Sequence, residues 1–177
     1  MDAVKEATST RETFAELYEI YMPKVFRYIQ YKISNKQLTE DLTSAVFEKA
    51  LVNFSKYSSD KAKFSTWLFS IARNMVIDYY RVSGRRETTS LEEATEISSR
   101  DLSPEEELEK KVELERLQVC LVELSKEEQE IIRLKFGAEL NNRQIAKMLG
   151  LSETNVGTKL YRAVRKLRDS FQESENG

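Results

Sequence analysis

The sequence contains no histidine, one cysteine, two prolines and five glycines in 177 residues. Each shortage excludes something. Without histidine there is no Cys/His zinc finger and no histidine-based triad or acid–base pair. A lone Cys120 makes no intrachain disulfide, which fits a reducing compartment. No apolar run approaches the ~20 residues of a membrane span, so no membrane insertion is expected. Residues 1–11 carry Asp2, Lys5, Glu6 and Arg11, which does not suit a signal peptide. The cytoplasm is therefore the expected location. So few helix breakers argue for long helices. No useful length of strand-like alternation occurs.

What is present is charge, and it is sorted. The chain holds 28 basic and 30 acidic side chains, net −2, at face value a poor nucleic-acid binder. Residues 61–86 hold 6 basic and 1 acidic side chain, and residues 131–177 hold 9 and 5. Between them, residues 87–130 hold 5 and 15. Two basic segments thus flank a strongly acidic one, a pattern that marks either partners and linkers or ordinary solvated faces. Residues 83–103 are rich in Ser, Thr, Glu and Arg and poor in apolar side chains, as a linker is.

In the first half, Phe14, Leu17, Tyr18, Tyr21, Val25, Tyr28 and Ile29 recur at helical steps. Pro23 fits best as the first residue of a new helix, with a break at Met22. A second helix is expected over 37–54, burying Leu42, Val46, Phe47, Ala50, Leu51 and Phe54. Its other side carries Glu40, Asp41, Ser44 and Glu48, either a solvated face or a docking surface for a basic partner. A third helix, 64–81, has a core stripe of Leu68, Ile71, Ala72, Met75 and Tyr79. Lys63, Trp67, Ser70, Asn74, Asp78 and Arg81 fall on a different face, after a polar loop with Tyr57 and Lys61. Aromatic and guanidinium planes stack on unpaired bases, at ~1–3 kcal/mol per base for aromatics, and amides read base edges. Trp67 taken alone suits a core position as well as a stacking platform.

In the second half the helix starts are legible. Ser103-Pro104-Glu105-Glu106 and Ser125-Lys126-Glu127-Glu128 are capping boxes. The first opens a helix with Leu108, Val112, Leu117, Leu121 and Leu124; the second one with Ile131, Ile132 and Phe136, ending near Gly137. Asn141 or Asn142 caps a short helix, and Ser152 caps the last, which buries Val156, Leu160, Ala163, Val164 and Leu167. Residues 142–161 have helix-turn-helix spacing: small Ala146 at the crossing, Gly150 at the positive-φ turn, Val156 closing the core. Glu153, Thr154, Asn155, Thr158, Tyr161 and Arg162 then face a major groove. Arg143, Lys147, Lys159, Arg165 and Lys166 are placed as phosphate contacts.

Over residues 10–170 the order of these motifs resembles a bacterial sigma factor of the small extracytoplasmic-function class. The resemblance rests on Leu38 to Ala50, on Phe64 to Asn74, on Leu124 to Phe136, and on the helix-turn-helix followed by Tyr161-Arg162-Ala163. It implies an all-α fold of two helical domains joined by a flexible acidic linker. A domain over 10–84 binds the largest subunits of core RNA polymerase through Glu40, Asp41, Ser44 and Glu48. The same domain melts and reads the minus-ten promoter element with Lys61, Lys63, Trp67, Ser70, Asn74, Asp78 and Arg81. A linker spans 85–103. A four-helix domain over 104–171 reads the minus-thirty-five element through the helix-turn-helix residues above. An anti-sigma protein is an expected partner; no cofactor, metal or enzymatic activity is expected. The chain departs from the family pattern at Gln144, where Glu is common, and at Gly157, where Lys or Arg is common. A stand-alone helix-turn-helix regulator with an N-terminal helical domain is the alternative. Catalysis is disfavoured, because Glu40 and Asp41 point apart on a helix and no glycine-rich phosphate loop appears.

Overall fold

The computed structural model describes residues 2–33, 35–84 and 119–175, with side chains over 13–33, 35–84 and 119–172. All regular structure among them is helical. The first capping box, Leu108, Val112, Leu117 and the whole 85–103 linker lie outside the described residues.

Helix α1 (Asp2–Gln30) runs through Pro23 without ending, against the expected break at Met22. Pro23 removes one backbone hydrogen bond, worth about 3 kcal/mol in a helix interior. Its ring lies on the exposed side, however, and Val25, Tyr28 and Ile29 just beyond it are fully buried. Burial of those three side chains, at ~1.5–3 kcal/mol each, outweighs the defect. Asn35 caps α2 (Lys36–Asn53), accepting from the Leu38 amide at 2.8 Å. Helix α2 leads through a 3-10 turn, Phe54–Lys56, and a loop to α3 (Phe64–Ser83). Gly84 ends α3 at φ +61°, a conformation glycine adopts without strain. These three helices pack together as one unit.

The second unit begins with helical residues 119–122 and α4 (Lys126–Ile132). The Ser125/Glu128 capping box is complete: the Ser125 amide donates to Glu128 at 2.9 Å and the Glu128 amide to Ser125 Oγ at 3.3 Å. A π-helical turn, Arg133–Gly137, follows. Then come α5 (Asn142–Leu149) and α6 (Glu153–Glu175), with α4 and α5 both packed on α6.

Several core positions differ from expectation. Leu51, Phe136 and Val164 are exposed. The wide π turn adds a residue to the helical repeat, so Leu134 turns inward and Phe136 outward. On α2 the buried side includes Thr39 and Thr43. Their hydroxyls donate to the carbonyls of Ile33 and Asn35 and to that of Thr39, which lets these polar side chains be buried. On α3 the core face is Phe64, Thr66, Leu68, Phe69, Ala72 and Val76, while Ile71, Met75 and Tyr79 are half-buried. Helix α3 is covered on two sides, by α1 and α2 and by α5.

The apolar core is therefore continuous. It runs from Val25, Tyr28, Val46 and Phe69 into Ile131, Leu134, Leu140, Ile145 and Val156. A smaller cluster of Leu124, Ile132 and Ala163 joins α4 to α6.

Candidate nucleic-acid interface

Three surfaces carry the residues singled out in the sequence. The first is the outer face of α2, where Glu40, Asp41, Ser44 and Glu48 are all exposed. Thr39, Thr43, Val46, Phe47 and Ala50 face inward and fix this orientation. Gln37 donates to Asp41 of the stripe at 3.3 Å.

The second surface is the loop before α3 and the first half of α3. An aromatic cluster builds it. Phe54 stacks near-parallel with Tyr57 at 6.1 Å, and Phe64 meets Tyr57 edge-on at 5.6 Å. Trp67 lies against both Tyr57 and Phe64, at 5.2 and 5.6 Å. The Tyr57 hydroxyl donates to the Ala62 carbonyl at 3.1 Å and closes the loop on itself. Burial and the neighbouring Tyr21 raise the Tyr57 pKa, so the hydroxyl stays a donor. Trp67 is half-buried, with one side packed on the cluster. Trp67 is thus packed on the core on one side and accessible on the other. Lys61, Lys63, Asn74, Asp78 and Arg81 are exposed, and Asp78 pairs with Arg81 at 3.1 Å. Ser70 donates back to the Thr66 carbonyl at 2.7 Å, which leaves its oxygen only as an acceptor.

The third surface is the helix-turn-helix. Asn141 is the cap of α5, and Gln144 completes a capping box with it, both bonds at 2.9 Å. Gly150 sits at φ +69°, and the Leu151 amide donates to the Ala146 carbonyl at 2.9 Å, closing the turn. Ser152 Oγ accepts from the Asn155 amide at 3.1 Å, and Val156 is fully buried below. Helix α6 then presents Glu153, Thr154, Asn155, Thr158, Tyr161, Arg162 and Arg165, all exposed. Arg143 on α5 is exposed within 3.9 Å of Glu153, and Arg165 within 3.7 Å of Asp169. Lys159 and Lys166 lie apart from this row, on the side toward α4. Lys159 pairs with Glu127 at 2.7 Å and Lys166 with Glu128 at 3.1 Å. Desolvation raises the Glu128 pKa, but hydrogen bonds from Ser125 and Lys166 outweigh it and leave the carboxyl below its ordinary range.

Sequence reasoning missed a buried ionic node between the two units. The Glu130 carboxylate of α4 accepts from Tyr28 at 2.7 Å and pairs with Lys32 at 2.6 Å and Arg73 at 3.5 Å. Burial raises the Glu130 pKa; the Lys32 ammonium, the Tyr28 hydroxyl and the Arg133 charge outweigh it and hold the carboxyl ionised. Burial and the Glu130 charge push the Tyr28 hydroxyl well above its usual range. No local motif announces this node, because its members come from three separate helical segments. Among the described residues, no group of three or more His, Cys, Asp or Glu could hold a metal ion. No helix of the described residues is long and apolar enough to cross a membrane.

Comparison with known proteins covers both units. A family model of sigma-70 region 2 matches residues 17–86, and one of sigma-70 region 4 matches residues 114–167. The chain is 32% identical over 168 residues to the ECF RNA polymerase sigma factor BldN of Streptomyces coelicolor, covering 94% of this chain and 64% of BldN. It is 30% identical over 165 residues to the ECF RNA polymerase sigma factor SigM of Bacillus subtilis, covering 93% of this chain and 98% of SigM. Among solved structures, the sigma factor RpoE of Bartonella quintana, in complex with the anti-sigma factor NepR, matches with a TM-score of 0.68. That match is 19% identical and covers 91% of this chain and 98% of RpoE, a likeness of fold.

Proposed function

The chain belongs to the extracytoplasmic-function sigma factors and directs transcription initiation by RNA polymerase, and we propose how its parts divide that work. Residues 10–84 bind core polymerase through Glu40, Asp41, Ser44 and Glu48. Their loop and α3 then take the separated minus-ten strand on Trp67 and Asn74, with Lys61, Lys63, Ser70, Asp78 and Arg81 alongside. Residues 104–171 read the minus-thirty-five duplex with the start of α6, and 85–103 link the two. The protein has no enzymatic activity of its own and works in the cytoplasm, where core polymerase and promoter DNA are. Its regulation falls to an anti-sigma protein, by likeness to RpoE, whose structure includes one.

One observation supports this division above the others. A half-exposed tryptophan on an aromatic bed and a helix-turn-helix with an exposed recognition row occur in one chain, beside an exposed acidic stripe. A stand-alone regulator needs only the second of these. Purified chain should give a defined transcript start from a genomic promoter library only when core polymerase is added. Tight, sequence-selective duplex binding without core, together with no transcript in its presence, would reverse the assignment in favour of a stand-alone regulator.

A further inference from the structure

A cavity of about 320 Å³ opens between α3, the start of α4 and the end of α5. None of the residues singled out for polymerase or DNA lines it. Its charges are unevenly matched. The Glu130 carboxylate on its wall is held by Lys32 at 2.6 Å and by the Tyr28 hydroxyl at 2.7 Å. The Glu127 carboxylate, also on the wall, pairs with Lys159 at 2.7 Å. Each carboxylate therefore has an ammonium of its own. Two cations of the lining are left over. Arg73 reaches Glu130 with Nε at 3.5 Å, and its two terminal nitrogens have no partner among the described residues. Lys126 is exposed and makes no ion pair among the described residues. The rest of the wall is apolar, with Leu149 half-buried and Ile77 43% exposed.

We propose that this cavity binds a small organic phosphate of mononucleotide size, its phosphate held by Arg73 and Lys126 and its ring resting on Ile77 and Leu149.

Charge, shape and size carry the proposal. A phosphate monoester bears about −1.5 to −2 at pH 7, which answers two leftover cations, where a carboxylate would answer one. The flat end of a guanidinium gives paired N–H donors to phosphate oxygens, and an ammonium adds a compact point charge. The contact with Glu130 holds the Arg73 stem in place, so less side-chain freedom is lost on binding. An inorganic anion would use only the cations. Ile77 and Leu149 add an apolar wall that a ring can cover, removing exposed hydrocarbon from water. The volume lies at the lower end of small-molecule pockets, roughly 300–1,000 Å³, enough for one ring and its phosphate. Glu127 and Glu130 on the same wall oppose an extended polyanion, so the site suits a compact ligand rather than a nucleic-acid backbone.

The test needs neither polymerase nor DNA, so its outcome is separate from that of the transcription assay. Full-length chain is titrated by calorimetry with adenosine monophosphate and, in parallel, with inorganic phosphate. The nucleotide should bind saturably and more tightly than phosphate, and it should raise the melting temperature. Lys126→Gln should weaken both probes by about tenfold or more, the loss of one charge-assisted hydrogen bond. The melting temperature of the free variant should match the parent, because no ion pair is removed. Arg73→Lys keeps a cation beside Glu130 but lacks the planar fork, and should also weaken both probes. Ile77→Ser should weaken the nucleotide and leave phosphate unchanged, a split that a general loss of folding would not give. Absence of saturable nucleotide binding at millimolar concentration overturns the site. Nucleotide affinity unchanged in Lys126→Gln and Ile77→Ser would place any binding elsewhere and overturns it equally. Phosphate binding as tightly as the nucleotide overturns the organic ligand class.

Discussion

The Trp67 ring stands 5.2 Å from the Tyr57 ring, centroid to centroid, with the planes tilted by 37°. Tyr57 thereby fixes the tryptophan's pose, and its hydroxyl ties down the loop that leads to it. Trp67→Ala removes a stacking surface worth ~1–3 kcal/mol per base. It also loses two ring contacts of ~0.5–1.5 kcal/mol each. Promoter opening should fall by at least one order of magnitude, with a modest loss of thermal stability and little change in affinity for core polymerase. Trp67→Phe should recover most of the stability and part of the opening, read by permanganate reactivity of the melted strand. Equal loss of core affinity in both variants would locate the defect in folding.

Asp41→Lys reverses one charge in an exposed stripe that α2 holds outward on Thr39, Thr43 and Val46. The melting temperature should stay within a degree or two, since only the 3.3 Å contact with Gln37 is lost. Affinity for core polymerase should drop about tenfold or more, as one reversed charge in a desolvated pair costs several kcal/mol. Fluorescence titration of labelled chain with core measures it; unchanged affinity excludes this face from docking.

The helix-turn-helix was legible because each of its parts is locally determined: a cap at Asn141, a glycine at φ +69°, and Val156 at fixed spacing. The acidic stripe was legible for the same reason, since helical periodicity alone sets which side chains point outward. What escaped depends on contacts between distant segments. Pro23 reads as a helix start until the burial of Tyr28 and Ile29 is known. Phe136 reads as core unless the π turn is known to rotate it outward. Lys159 and Lys166 read as phosphate contacts on a basic helix, yet Glu127 and Glu128 lie beside them. Glu130 looks like any surface glutamate in an acidic stretch, and only the approach of Lys32 and Arg73 makes it a buried node.

Glu130 and Glu128 both titrate below the ordinary glutamate range in the folded chain. The sign follows: each binds a proton more readily unfolded than folded. Their contribution to stability is present above the unfolded glutamate pKa of about 4.3 and is lost as pH falls through the lower folded value. Stability by urea titration should therefore decline below about pH 5 more steeply than in Glu130→Gln. That variant should be less stable near pH 7 and should converge on the parent in acid. Parallel pH profiles would remove Glu130 from the acid transition.

Arg162 and Lys166 lie on the same helix but in different surroundings. Arg162 is exposed in the recognition row, while Lys166 lies against Glu128. Arg162→Ala should weaken binding of promoter duplex by holoenzyme and flatten the salt dependence by roughly one unit of slope, with no change in melting temperature. Lys166→Ala should lower the melting temperature and bring the Glu128 pKa back up, which nuclear magnetic resonance titration of that carboxyl reads directly. A salt slope unmoved by Arg162→Ala strikes it from the DNA-contact set.

Two glycines of the helix-turn-helix should respond oppositely to alanine. At Gly150 an added Cβ meets nothing within 4 Å, but φ is +69°, so Gly150→Ala should cost about 1–2 kcal/mol from the backbone alone. At Gly157, within α6, a Cβ would meet Asn142 Nδ2 at 3.6 Å, an ordinary contact. Gly157→Ala should therefore stabilise the chain, by up to about 1 kcal/mol of helix propensity. Gly157→Lys should keep most of that gain and add a cation beside Asn142, at the start of α5. If this position faces the duplex, as its register beside Thr154 and Tyr161 implies, the salt slope of promoter binding should steepen by about one unit. A stabilised Gly157→Lys chain with an unchanged slope would turn this side of α6 away from the phosphates and leave the recognition row to Asn155, Thr158 and Arg162.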